Sequence, residues 1–299
     1  MITKFLNRNI ILSICVSIGL TFSMVGTAAP VNFVPEVHSQ LDYNHKAYAE
    51  WTKGANNDIQ ALGIGLAPEG SDYARGRILA RRAAVVDAQR NLLEYINGVS
   101  LNADTNVSKL AVDSDEIRSQ VSGIVRNATI VYERYNSDRS YEVILSVPMY
   151  GENRSLASVV VPKMIADLSQ EVVPAKELES NVGEITEHYT GIVVNAIGFG
   201  LDTTFAPAIY DTKGRIVYGL QKVDHSFIIN HGMVEYAKSI EGKNRAGSNP
   251  LVVKAINVRG GKNSVNKVNV VISEEDANKI LLADKKYDFM KKCSVVFVR

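Results

Sequence analysis

A strand with a glycine face, followed by an alanine-rich helix, constrains the fold more than any other part of the sequence. Between Asp58 and Leu66, large side chains alternate with Ala61, Gly63 and Gly65, and this period of two predicts a strand. Because glycine has no side chain, that face allows another element to approach closely. We expect the following helix to pack there.

The predicted helix spans about residues 72–97, with Ser71 as its N-cap and Gly98 as its stop. Arg81 lies near the centre of its apolar stripe. It is either a buried guanidinium that awaits a carboxylate or ligand, or a side chain whose stem covers the core while its head reaches solvent; we expect the second. The stripe has a period of 3.6 and consists of Ala74, Ile78, Val85, Ala88, Leu92 and Ile96.

The remaining pattern predicts an α+β protein of two domains, each an antiparallel sheet packed against one or two helices. The first domain covers residues 58–160, residues 161–184 form a linker, and residues 185–299 form the second domain. The supporting elements are hairpins at 128–147 and 208–218, strands at 189–198, 251–258, 267–272 and 294–298, and a helix capped by Ser273.

The N-terminus has the layout of an export signal. Lys4 and Arg8 precede residues 10–35, which carry no charge, and small residues follow the apolar run. We expect cleavage between Ala28 and Ala29, which makes residues 1–28 a signal peptide and residues 29–57 an N-terminal extension. The alternative is an uncleaved membrane anchor, since the apolar run approaches spanning length. Export predicts a periplasmic or cell-surface location.

Composition excludes several classes of function. Without residues 1–28 the chain keeps 31 of its 33 basic side chains beside 32 acidic ones. Since neither charge predominates, we expect no binding to nucleic acid and at most a peripheral contact with membranes. Cys293 is the one cysteine left, so no internal disulfide forms, and we expect it to pack in the core. No dinucleotide or phosphate-binding fingerprint occurs, and we expect no cofactor.

Two less favoured functions rest on clusters of side chains. A metal-dependent hydrolase would use Asp202, Asp211, His225 and His231, although their spacing is not typical of a metal site. A glycan or wall-polymer binding module would use the tyrosines of the first hairpin as a stacking face, although hairpin tyrosines more often form packing pairs. Those tyrosines are Tyr132, Tyr135, Tyr141 and Tyr150.

Residues 76–99 and the later segment from Tyr141 to Gly151, which contains Val147-Pro148-Met149-Tyr150-Gly151, resemble the LPP20 family of bacterial envelope proteins. The likeness covers about residues 58–160 and extends more distantly to the N-terminal domain of flagellar assembly T proteins. Segments of the second half are similar to multidomain members, among them 189–194, 207–211 and 249–255.

The resemblance implies a non-enzymatic component of the cell envelope that acts in structure or assembly. Its partners would be envelope proteins, including itself or components of the flagellar basal body. The family pattern carries packing residues and no catalytic or metal-binding ones. We therefore take Arg81, Asp87, Gly63 and Gly65 as candidate structural or interaction residues, and expect docking at sheet edges.

Overall fold

The computed structural model describes residues 47–49, 57–168, 185–239, 245–261 and 266–299. Residues 35–299 belong to one compact unit. The predicted signal peptide, its cleavage site at Ala28 and Ala29, and most of the predicted extension and linker lie outside the described residues. Among the helices that are described, none is long and apolar enough to cross a membrane.

The first half, as far as it is described, is a four-stranded antiparallel sheet with helices around it. The sheet order is β1-β2-β4-β3. The strands are β1 (Ala47–Ala49), β2 (Asp58–Leu66), β3 (Thr129–Tyr135) and β4 (Ser140–Pro148). The helices are α1 (Tyr73–Gly98), α2 (Val107–Asp113), α3 (Asp115–Arg126) and α4 (Leu156–Leu168). The predicted strand, helix and hairpin are thereby confirmed.

The helix α1 packs on β2 through small residues, and the predicted stripe was wrong in its N-terminal half. Ile78 is 55% exposed, and Ala74 is exposed as well. The face that meets the sheet has a four-residue spacing and consists of Gly76, Ala80, Ala84, Ala88, Leu92 and Ile96. A glycine face on β2 brings the helix backbone so close that larger side chains must turn away from it.

The N-terminus of α1 also differs from the prediction. Asp72, and not Ser71, caps the helix, because its carboxylate accepts a hydrogen bond of 2.9 Å from the Arg75 backbone N–H. Ser71 instead donates its hydroxyl proton to the Pro68 carbonyl and accepts a hydrogen bond from Arg139. Ser71 thus stabilises the turn between β2 and α1.

The described second half contains eight short strands in two sheets, with two α-helices. The strands are β5 (Gly191–Asn195), β6 (Ile209–Asp211), β7 (Ile216–Tyr218), β8 (Glu235–Ala237), β9 (Pro250–Lys254), β10 (Asn257–Arg259), β11 (Asn269–Ile272) and β12 (Val295–Val298). The helices are α5 (His225–His231) and α6 (Glu274–Tyr287), with a 3₁₀ turn at Leu220–Lys222. Ser273 caps α6 as predicted.

The α+β class is confirmed, but the strand directions in the second half differ from the expected antiparallel pattern. The sheet β8-β12-β5-β9 is parallel throughout. The sheet β10-β11-β6-β7 is mixed, because β11 and β6 are parallel while its other pairs are antiparallel. The apolar run of β12 is buried on both faces, which is typical of a parallel sheet rather than of a hairpin.

Two elements lie across the predicted domain boundaries. The strand β1 comes from the predicted extension and pairs with β2, and α4 continues from residue 156 to residue 168 of the predicted linker. Pro162 lies inside α4, next to the buried Val161. The start of the predicted linker therefore belongs to the core, since a run of apolar residues stabilises the helix despite its proline.

The two halves share a continuous hydrophobic core. Backbone N–H groups of Phe205 and Ala206 donate to the carbonyls of Ser100 and Leu101, at 2.9 and 2.8 Å. The Gly151 N–H donates to Ile229 at 2.7 Å. Division into two domains stays a prediction, because these bonds and this core join the halves.

Candidate docking surface

Gly63 and Gly65 are packing residues at the contact between β2 and α1. A Cβ atom on Gly63 would lie 2.1 Å from the Ala84 carbonyl oxygen and 2.2 Å from the Ala88 nitrogen. One on Gly65 would lie 2.1 Å from the Ala80 carbonyl oxygen. Both glycines face the helix backbone, so they hold α1 against the sheet and are not available to a partner.

Asp87 closes the side of β2 that the described part of β1 does not cover. The described register pairs β1 only with Ile59–Ala61. Beyond it, the Ile64 N–H donates to Asp87 Oδ2 at 3.1 Å, and the amide of Asn91 donates to the Leu62 carbonyl at 2.8 Å. Side chains of α1 thus satisfy edge groups that would otherwise be open to another strand.

Asn91 is a residue that sequence reasoning missed. Its spacing of four from Asp87 places both side chains on one face of α1, and that spacing was the available signal. The pattern alone does not show that this face lies beside the edge of β2. Asn91 is also buried, and its hydrogen bond to Leu62 offsets the free-energy cost of burying a polar amide.

Arg81 connects α1 to β3. Its Nε lies 2.7 Å from Glu133 Oε2, and the two side chains are 44% and 39% exposed. The hydrogen bond and the charge of Glu133 raise the pKa of the Arg81 guanidinium. The Arg81 guanidinium is therefore half-exposed, as we expected, and it also pairs with a carboxylate, as the alternative interpretation required.

The two aspartates of the hydrolase hypothesis have separate partners. Asp211 is buried, with Arg215 Nε 2.9 Å from its Oδ2. Asp202 accepts a hydrogen bond of 3.0 Å from the Lys267 backbone N–H. His225 and His231 are the first and last residues of α5. Within the ranges that the structure describes, no three histidine, cysteine, aspartate or glutamate side chains are placed to hold a metal ion.

The hairpin tyrosines do not share one solvent-facing surface. Tyr141 is buried, and Tyr135 packs on it with ring centroids 5.8 Å apart. Tyr150 packs on Phe205 of the second half at 5.2 Å, and burial raises the pKa of its hydroxyl. These rings contribute packing within the protein, which leaves no stacking platform built from all four.

Among the described residues of the second half, the exposed large apolar side chains lie at β9 and just after β5 and β9. Val252 is 52% exposed and Ile256 is 51% exposed, with the exposed Lys254 between them. Ile197, which is 54% exposed, follows β5 by the same two residues by which Ile256 follows β9. Since Asn195 pairs with Lys254 in parallel register, Ile197 and Ile256 both lie beyond the same end of the sheet.

We call Ile197, Val252, Lys254 and Ile256 the β9 edge surface. Among described strands, β9 pairs with β5 alone, so its other side is an edge of the parallel sheet. The carboxyl ends of strands in parallel sheets are common sites of ligand binding. The sequence predicted one strand over residues 251–258, but two sheets share this segment, and only the structure shows which of its residues face outward.

The chain around the β9 edge surface is basic. From Gly242 to Ser273 it contains no aspartate or glutamate, while its basic residues are Lys243, Arg245, Lys254, Arg259, Lys262 and Lys267. Described carboxylates from elsewhere approach both ends of this stretch: Glu235 accepts a hydrogen bond from the Arg245 backbone N–H at 2.9 Å, and Asp202 accepts one from the Lys267 backbone N–H at 3.0 Å. The sequence of this stretch therefore gives it a positive charge.

A protein-family model described as Treponema pallidum Tp0624, second domain, matches residues 191–299, roughly a third of the chain. The matched range begins at the first residue of β5 and contains the whole β9 edge surface. No curated protein matches the sequence. The second half is thus similar to that domain, whereas the resemblance of residues 58–160 to the LPP20 family stays a prediction.

Proposed function

We propose that this chain is an exported, non-enzymatic component of the cell envelope that binds other proteins in a structural or assembly role. The uncharged residues 10–35 after Lys4 and Arg8 support export. The resemblance of residues 58–160 to LPP20 proteins supports an envelope role.

The observation that carries the binding role is the β9 edge surface. Three large apolar side chains are each more than half exposed: Val252 within β9, and Ile197 and Ile256 just beyond the ends of β5 and β9. The outer side of β9 has no described strand partner. Contiguous exposed apolar surface on a folded protein marks interaction sites more often than chance. An open strand edge beside it adds main-chain groups that a partner can satisfy.

In-cell photo-crosslinking tests the proposal. A photoreactive residue replaces Ile256 in one variant and, as a control, Val112 of α2, which is 72% exposed, in another. We expect Ile256 to crosslink to defined envelope proteins or to a second copy, and Val112 not to crosslink to them. Identical crosslinks from both sites, or none from either, would contradict a docking role for β9.

The export part of the proposal has its own test. We expect protein recovered from a periplasmic or surface fraction to begin at Ala29, with the sequence through Ala28 removed. An intact N-terminus on protein recovered from the cytosol would contradict export.

A further inference from the structure

We infer that the partner presents an extended, acidic segment, which adds to the side of β9 that no described strand covers, as a further strand of the parallel sheet. This inference rests on the proposed binding function and deepens it by naming the chemistry of the partner. Strand addition of this kind combines main-chain hydrogen bonds with contacts to alternate side chains. Both features are present at β9.

The main-chain groups of β9 alternate in direction. The Ala255 N–H donates to the Asn195 carbonyl of β5 at 2.9 Å, so alternate residues before it also face β5. Val252 and Lys254 consequently direct their N–H and C=O groups to the other side. An added strand would find a donor and an acceptor at each of these residues.

The side chains of the same residues form one face. Leu251, Val253 and Ala255 are buried, whereas Val252, Lys254 and Ile256 are exposed. An added strand would therefore place every second side chain beside two apolar residues and one ammonium group. Cross-strand neighbours of opposite charge and apolar neighbours are both stabilising.

Charge selects an acidic segment over a neutral one. Lys254 is exposed, and no acidic residue occurs between Gly242 and Ser273. The next acidic residue, Glu274, is paired with Lys213 at 2.6 Å, at the start of α6. A basic partner would add to the positive charge of this stretch, whereas an acidic partner would be attracted to it.

Peptide binding to the purified protein tests the inference. The probe is a fluorescent peptide of about ten residues in which valine and glutamate alternate, the length of a long strand. One control peptide has lysine in place of glutamate, and another keeps the charge but carries prolines, which prevent strand pairing. We expect the acidic peptide to bind more tightly than either control by about tenfold or more, and the difference to shrink with added salt.

Two protein variants locate the binding. Lys254→Glu should weaken binding of the acidic peptide by about three- to tenfold, because it reverses a charge at the rim of the contact. Lys285→Glu makes the same change at an exposed lysine on α6 and should leave binding within about twofold. Circular dichroism checks that both variants fold.

Each other outcome overturns the inference. Equal binding of acidic and lysine peptides removes the charge argument, and binding of the proline peptide as tightly as the alternating one removes strand addition. Binding to phosphatidylglycerol vesicles in place of peptide would make the surface a membrane contact. If Ile256 crosslinks to envelope proteins but the acidic peptide does not bind, the proposed function stands and only the chemistry of the partner is wrong.

Discussion

Replacing Gly63 with alanine probes one of the closest contacts in the first half. The new Cβ would lie 2.1 Å from the Ala84 carbonyl oxygen, 0.9 Å inside the 3.0 Å that real Cβ contacts essentially never undercut. The Ala88 nitrogen, at 2.2 Å, is equally close. Both obstacles are helix backbone, which cannot rotate away as a side chain can. The whole of α1 must therefore move away from β2, or the strand must bend.

The cost follows from overpacking. Extra methyl groups in well-packed cores cost about 1–3 kcal/mol and occasionally more, and rigid neighbours place Gly63→Ala at about 3 kcal/mol or above. With an unfolding entropy of about 2.1 cal/mol/K per residue, that loss lowers the melting temperature of a protein of this size by about 5 °C. The Ala88→Gly change should not restore stability, since it removes a side chain and leaves the backbone obstacle in place.

Urea unfolding of the purified protein, followed by circular dichroism, measures this effect. The matched control is Gly123→Ala in α3, where an added Cβ would meet nothing within 4 Å. There alanine should stabilise the helix by about 0.5–1 kcal/mol, because glycine is a poor helix former. A Gly63→Ala protein within about 0.5 kcal/mol of the wild type would refute the close packing of α1 on β2.

Further predictions concern hydrogen bonds, charge and pH. Asn91→Ala should cost about 1–3 kcal/mol in urea unfolding, because it leaves a strand carbonyl unsatisfied, whereas the exposed Glu94→Ala should stay within about 0.5 kcal/mol; equal effects would contradict the role of Asn91 at the edge. Arg81→Ala should cost less than about 1 kcal/mol, since its pair with Glu133 is half-exposed; a larger loss would show that its stem matters more than its charge. Burial raises the pKa of the Cys293 thiol to about 11. In the unfolded chain the thiol pKa is about 8.5. Because the folded state binds this proton more tightly, the free energy of unfolding should fall as pH rises above about 8.5. Cys293→Ala should remove this part of the pH slope, and parallel slopes for both proteins would contradict it.

Local sequence patterns predicted those elements that depend on neighbouring residues. The alternation in residues 58–66 and the turn between β3 and β4 each need only a short stretch of chain to specify them. The capping of α6 by Ser273 was predictable for the same reason. The sequence marked Arg81 as an unusual polar position on a packed helix, and the family resemblance marked Asp87 as a candidate structural residue, although neither partner was predictable.

The tertiary structure decided matters that involve distant residues. The packing face of α1 shifted to the small residues because the glycines of β2 lie against its backbone, and this distance is no property of the helix sequence. Strand direction in the second half depends on pairings such as β5 with β12, which are separated by about a hundred residues along the chain.

The sequence by itself determined a signal-like N-terminus, the α+β class and the close contact of a glycine strand with an alanine helix, because periodicity and composition encode these locally. Only the tertiary structure decided that Asp87 and Asn91 close the edge of β2, while no described strand pairs with the outer side of β9. An edge is a relation between strands, and whether it is covered depends on how the rest of the chain packs around it.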